Sequence, residues 1–350
     1  TPGTIIRQLA FNGNTCFTEF GLRIDATGST CSDIVVSGNN THGKCLFALR
    51  TQGAANSAFN NITIVGNQHE RDSLATELDA NIKSMIAFNN TASPNDLDLT
   101  ELKIENNNLD AQGGDGLGGI FVSDITLLKG FTANGNNVYN TRAPAVFVSS
   151  KEGIMQNLSI KDNLIRQAQV DGWNAAREDT IISIEYSDIV DPSSRSTRDY
   201  TSNIAICGNH LSTCYALSTN AAGILITHNP ELSYDVDNRA AGIMNLNVNN
   251  NLFEDVDVNG ASTGIQTSIS LDFSEIVWDL NTITCSSNSI TAPYESPLQS
   301  SVMTSGIRLV GPKNLESAGA NIRNIKVDGN QVTHCSRSDS FGIGIFFDCD

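Results

Sequence analysis

Apolar and polar positions alternate along this chain in short bursts that stop at a fixed corner, and the burst is written ten times. In the copy from Ile325 to Val332, IKVDGNQV, the order is apolar, polar, apolar, polar, a turn residue, asparagine, one further residue, then apolar. The other copies read LAFNGNTC, IVVSGNNT, ITIVGNQH, LKIENNNL, FTANGNNV, LSIKDNLI, IAICGNHL, LNVNNNLF and ITCSSNSI. Their asparagines are Asn14, Asn39, Asn67, Asn107, Asn136, Asn163, Asn209, Asn251 and Asn288, followed by Asn330. A period of two is that of a strand with one buried face. The residue before the asparagine is Gly13, Gly38, Gly66, Gly135, Gly208 or Gly329 in six copies, and Asn106, Asp162, Asn250 or Ser287 in the others. Gly, Asn and Asp accept positive φ at low cost, so this position reads as a left-handed corner.

Between these corners lies a second alternating row: GLRID, CLFALR, MIAFNN, GIFVSD, AVFVSS, IISIEY, GILITH, SISLDF, GIRLVG and GIGIFF. Each repeat therefore carries at least two strands. Short strands ending in one fixed corner, recurring every 25 to 46 residues, predict a solenoid. A leucine-rich repeat would need near-constant spacing and a helical turn in every unit. Here the spacing wanders, Ile, Val and Phe dominate, and no amphipathic helical window recurs. The pattern instead predicts an all-β, right-handed parallel β-helix of about ten coils. Its asparagines would stack as a ladder, each amide bonding to the coil above and below. With no linker-like stretch, residues 1–350 are expected to form one domain. Neither TPGTIIRQL nor FFDCD reads as a polar cap, so the expectation is a piece of a longer chain, or ends covered by other segments or subunits.

A formal net charge of −17 argues against nucleic-acid and anionic-membrane partners, and no apolar run is long enough to span a bilayer. The eight cysteines include no C-x-x-C pair, which points away from zinc and redox chemistry. Cys16 and Cys285 fall at core-facing positions, and Cys207 and Cys214 are a candidate bridge. Asn39, Asn61, Asn89 and Asn157 head N-x-S/T triplets, which an asparagine-rich chain produces by chance. NQHERDSLATELDANIK, residues 67–83, suggests a short covering helix, and GGDGLGG, residues 113–119, a flexible turn.

With the coils written as I-x-I-x-x-N-x-I, the chain resembles right-handed parallel β-helices of the pectate-lyase-like superfamily from Leu9 to Phe347. Members include pectate and alginate lyases, polygalacturonases, epimerases, phage tailspikes and adhesins, most of which act on polysaccharides. The chain lacks the D-D, G-H-G and R-I-K motifs of polygalacturonases and the D-P-H-D of mannuronan epimerases. The paired Lys and Arg of alginate-type lyases have no obvious counterpart. What remains looks like a phage tailspike or capsule depolymerase. That resemblance implies a bacterial capsule or O-antigen as partner, host-cell adhesion, a homotrimer, a virion-tail or secreted location, and no cofactor.

Setting the second row in register puts Ser123, Ser149, Glu185, Thr227, Asp272 and Val310 in one outward column. Glu185 and Asp272 are then two rungs, roughly 9.5 Å, apart. That is the upper edge of the about 6.5–9.5 Å window of an inverting glycosidase, in which one carboxyl protonates the leaving oxygen and the other activates water. The expected activity is endo-hydrolysis with Glu185 as acid and Asp272 as base, and with Asp188 and Glu275 as alternates. A Ca²⁺ site built from the same acids is the competing chemistry. Trp173, on the loop before Glu185, is expected to offer a flat face to a sugar. His228, on the intervening rung, would orient a hydroxyl, and Arg308 would pair with an acidic sugar or with Asp272. A uronate lyase of the same fold and a non-catalytic receptor-binding adhesin are the alternative functions.

Overall fold

In the computed structural model, the described residues are 5–26, 28–51, 56–71, 84–90, 97–113, 117–174, 177, 179–187, 201–216, 221–229, 242–258, 266–274, 276, 279–291, 305–312, 321–333 and 341–346. Every element among them is a strand, and every strand pairing is parallel. The strands fall into three rows. First-row strands, such as Thr30–Ser37, Leu97–Glu105 and Ile243–Asn249, lead into the asparagine corner. Third-row strands, such as Asn40–Gly43, Asn108–Asp110 and Leu252–Val258, leave it. Second-row strands, such as Cys45–Thr51, Asp179–Tyr186 and Gln266–Asp272, complete the repeat. First and second rows belong to one long curled sheet, and third-row strands stack into a second. Each strand pairs with its counterpart in the next repeat, so vertical neighbours lie dozens of residues apart in the chain. This is a solenoid-like stack.

All ten residues before the ladder asparagines have positive φ, from +54° at Asp162 to +69° at Gly208. The corner turns sharply, and the asparagine that follows points inward. Each ladder asparagine donates both its main-chain N–H and its Nδ2 to the Oδ1 of the next. Asn107 reaches Asn136 at 3.0 Å by both donors. The contact repeats without a gap from Asn14 through Asn330. The second Nδ2 hydrogen goes to a carbonyl of the preceding rung, as from Asn136 to Ile104 at 2.8 Å. The amides thereby satisfy backbone groups that a tight corner would otherwise leave dry.

A second left-handed bend, absent from the sequence reading, lies six residues upstream of every ladder asparagine. It is occupied by Gln8, Asp33, Asn61, Glu101, Gly130, Asn157, Asn203, Asn245, Thr282 and Asn324. It kinks each first-row strand partway along, as Asp33 does in Thr30–Ser37, and Gly118–Asn134 and Val146–Lys161 run from second row to first row as single strands. Some of these side chains also stack, Asn203 Nδ2 donating to Asn157 and Asn245 Nδ2 to Asn203, both at 2.9 Å. Six amides among these ten bends were the available signal.

The core is built from like-on-like stacks. Ile34, Ile62, Leu102, Phe131, Leu158, Ile204, Leu246 and Ile283 form one buried column. Each such side chain contributes roughly 1.5–3 kcal/mol by leaving water. Cys285 belongs to this core, Cys16 is half-buried, and Cys207 and Cys214 are both free thiols. The expected Cys207–Cys214 bridge is therefore absent. Cys214 points into the core while Cys207 sits on the outer side of its first-row strand, so the two thiols face opposite ways. Of the expected helix over 67–83, residues 68–71 are strand and residues 72–83 lie outside the described set.

Candidate functional site

Pairing in the second row is Ser149 with Glu185, Glu185 with Thr227, and Ile226 with Leu271. Ser149, Glu185, Thr227 and Asp272 thus share one column. The alternation that keeps Ile182, Ile184, Ile269 and Leu271 in the core turns Glu185 and Asp272 outward.

Outward is not exposed. Glu185 is 2% accessible, because Trp173 and Arg177, from the connection after Val170, lie over this part of the sheet. Trp173 sets its ring edge-on against Phe121 and Phe147, with centroids 5.5 and 5.3 Å away. Arg177 lays its guanidinium over Phe147, 4.7 Å from the ring centre. Its Nε is 3.1 Å from Glu185 and its Nη2 is 3.6 Å from Asp124. Asp179 accepts the Gly172 N–H at 2.8 Å, at a residue with φ of +59°. Burial raises the Asp179 pKa, partly offset by the Gly172 and Trp173 N–H groups. The expectation of an open acidic face fails at Glu185 for a physical reason. Phe121 and Phe147 project outward from neighbouring rungs, and two rings side by side in water favour a cover. The same cover consumes Trp173, whose ring faces are packed rather than offered to a sugar. The outward Phe of GIFVSD and AVFVSS was the signal for this.

Asp272 keeps a path to solvent, its side chain 23% exposed, and it is held at three points. Its Oδ2 lies 3.4 Å from Arg308 Nη1, its Oδ1 accepts the Ser274 N–H at 3.0 Å, and its carbonyl accepts the Tyr186 hydroxyl at 3.1 Å. Arg308 stands on the adjacent rung and pairs with Asp272, as one of its two expected partners. His228 occupies the rung between Glu185 and Asp272 and packs against Tyr186, edge to face at 5.7 Å. The structure thus gathers Asp272, Arg308, Tyr186 and His228 around one spot and seals Glu185 beneath Arg177. Tyr186 takes the next inward position after Ile184, which marks it only as core, and nothing in the pattern points to its hydroxyl's contact with Asp272. Asp188 and Glu275 lie outside the described residues. Among the described residues, no group of His, Cys, Asp and Glu is arranged to hold a metal ion.

Comparison with protein-family models, curated proteins and solved structures returns no match for this chain.

Proposed function

We propose that this chain is a polysaccharide-binding rod, a right-handed parallel β-helix of about ten coils that serves as the receptor-binding part of a tailspike-like trimer on a virion tail or outside the cell. The observation that carries the reading is the stack itself. Polar side chains recur at fixed intervals of about 4.8 Å along a stiff axis, matching a ligand that also repeats along one direction. Asp272 with Arg308 adds a charged pair that reaches solvent one rung from the half-buried Thr227 hydroxyl. Such a set bonds hydroxyl-rich ligands and offers little to an apolar one.

Hydrolysis is the second reading, favoured by the common column of Glu185 and Asp272. In that chemistry Asp272 activates water, and Glu185 takes part once Arg177 and the loop over it move aside. Incubation with a panel of bacterial capsules and O-antigens, followed by measurement of retention and mass analysis of the glycan, tests both. Retention at unchanged chain length supports the rod as a binder. Shortened glycan that disappears in Asp272→Asn supports the hydrolase. Failure to retain any polysaccharide sinks both.

A further inference from the structure

The second row is where strand register first points for a site, but it is the covered wall of the rod. Every connection of variable length begins or ends at a second-row strand, whereas first-row and third-row strands are always joined by two residues, such as Gly13–Asn14, Asn106–Asn107 and Gly329–Asn330. On the six rungs from Thr15 to Arg166 none of the outward third-row residues is buried, so that stretch of the face is open.

That face has a definite chemistry. Its outer column reads Phe17, His42, Glu70, Asp110, Tyr139 and Arg166 over consecutive rungs, roughly 24 Å at five steps. The column beside it carries the amides Asn40, Gln68, Asn108 and Asn137. Phe17 is 76% exposed, and its ring is stacked on His42 at 4.9 Å and 10°. His42 lies 3.6 Å from Glu70, which also accepts the side-chain amide of Gln112, and Asp110 accepts Asn140 Nδ2 at 2.8 Å. The planar groups are thereby held in place rather than left to wander.

We infer that this third-row face, from Phe17 to Arg166, is the polysaccharide-binding surface, taking a linear, hydroxyl-rich glycan laid along the axis of the rod. The inference rests on the proposed glycan-binding function and names where it resides. Rings offer flat apolar faces to sugar rings, while amides and carboxylates take up pairs of hydroxyls. A nucleic acid is disfavoured, because Arg166 is the one Lys or Arg in these two columns and faces two carboxylates. A protein partner of ordinary kind is disfavoured, because the exposed apolar side chains here are few and separated rungs apart. The first-row outer face, equally open, lacks this chemistry. Its asparagines spend their oxygens on the next rung, as Asn134 does on Ser159 and the Lys161 N–H.

The test uses the whole chain and a bacterial polysaccharide that it retains. His42→Ala and Tyr139→Ala are compared with Thr63→Ala on the first-row face, with unfolding curves verifying that all three fold. The expected result is a loss of at least about tenfold in retention for the two third-row variants and less than about twofold for Thr63→Ala. Retention that survives His42→Ala and Tyr139→Ala but falls with Asp272→Asn or Arg308→Gln places the glycan on the second row. That overturns this inference while leaving the binding function intact. Absence of retention by the unaltered chain across the whole panel overturns the binding function itself, and this inference with it.

Discussion

Replacing Asn136 by alanine tests what holds the rod together. Asn136 is fully buried at mid-stack. Its Oδ1 accepts both the main-chain N–H and the Nδ2 of Asn107 at 3.0 Å, and its Nδ2 donates to Asn163 Oδ1 at 3.1 Å and to the Ile104 carbonyl at 2.8 Å. Truncation leaves the Asn107 N–H and one Asn107 amide hydrogen without partners. At about 1–3 kcal/mol for each dry orphan, and allowing for relaxation, the expected loss is about 4 kcal/mol. Asn14 stands at the first rung of the ladder, where its side chain donates one contact to Asn39 Oδ1 at 3.0 Å. Asn14→Ala should therefore cost about 1 kcal/mol. Urea unfolding followed by circular dichroism gives the comparison. Because stacked arrays can open piecewise, amide exchange at Asn107 and Gly135 supplies the local measure. Equal costs at the two positions, or a loss below about 1 kcal/mol at Asn136, would refute the ladder as a stabilising element.

Four further outcomes are expected. His69 is buried with its Nδ1 on the Thr41 hydroxyl at 2.8 Å, and burial lowers its pKa from 6.5 to about 4. The unfolded chain binds this proton first as pH falls, so stability should drop between pH 6.5 and 4 by up to about 3 kcal/mol and recover above that window; a pH series of unfolding midpoints should lose most of this slope in His69→Leu. Gly38→Ala, with open space at its corner, should cost about 1 kcal/mol for its positive φ. Gly208→Ala should cost more, because the new Cβ would meet Asp162 Oδ1 at 2.3 Å, and Asp162→Gly should restore the difference in a double-mutant cycle. Arg177→Ala strands a buried Glu185 carboxylate and should cost about 3–5 kcal/mol with a change in Trp173 emission, and adding Glu185→Gln should recover much of that loss. A thiol reagent should label half-buried Cys207 in the folded chain ahead of Cys45, Cys214 and Cys285, which are fully buried; burial raises all four thiols, to about 12 for Cys214 and Cys285.

The legible part of this protein is the part set by local chemistry. Gly38 and Asp162 announce a left-handed corner because few residue types tolerate one. Alternation around Ile34 and Val36 announces a buried face, and the repeated asparagine announces the stack. Register followed from these alone, and it correctly set Glu185, Thr227 and Asp272 above one another. The bend at Asn157 and Asn203 was written in the same alphabet, but Gln8, Glu101 and Thr282 also occupy it. A position that accepts so many residue types leaves only a faint mark.

What register does not supply is cover. Glu185 and Asp272 share a column, yet one is sealed and the other reaches water, and the difference comes from Trp173 and Arg177, which belong to neither strand. Such a loop is read from the need it meets rather than from its own pattern. Phe121 and Phe147 stand outward where the alternation calls for polar residues, so something apolar must pack on them. The third row shows the converse. Tyr139 and His42 also stand outward, after a corner only two residues long, and neither is buried. Tyr139 and Phe147 flank the same connection, residues 140–145, yet only Phe147 is sealed, so an outward aromatic is assigned to cover or to surface by what packs on it. It is this exposure, on strands from Phe17 to Arg166, that moves the search for ligand contacts from the second row, where the carboxylates drew it, to the third.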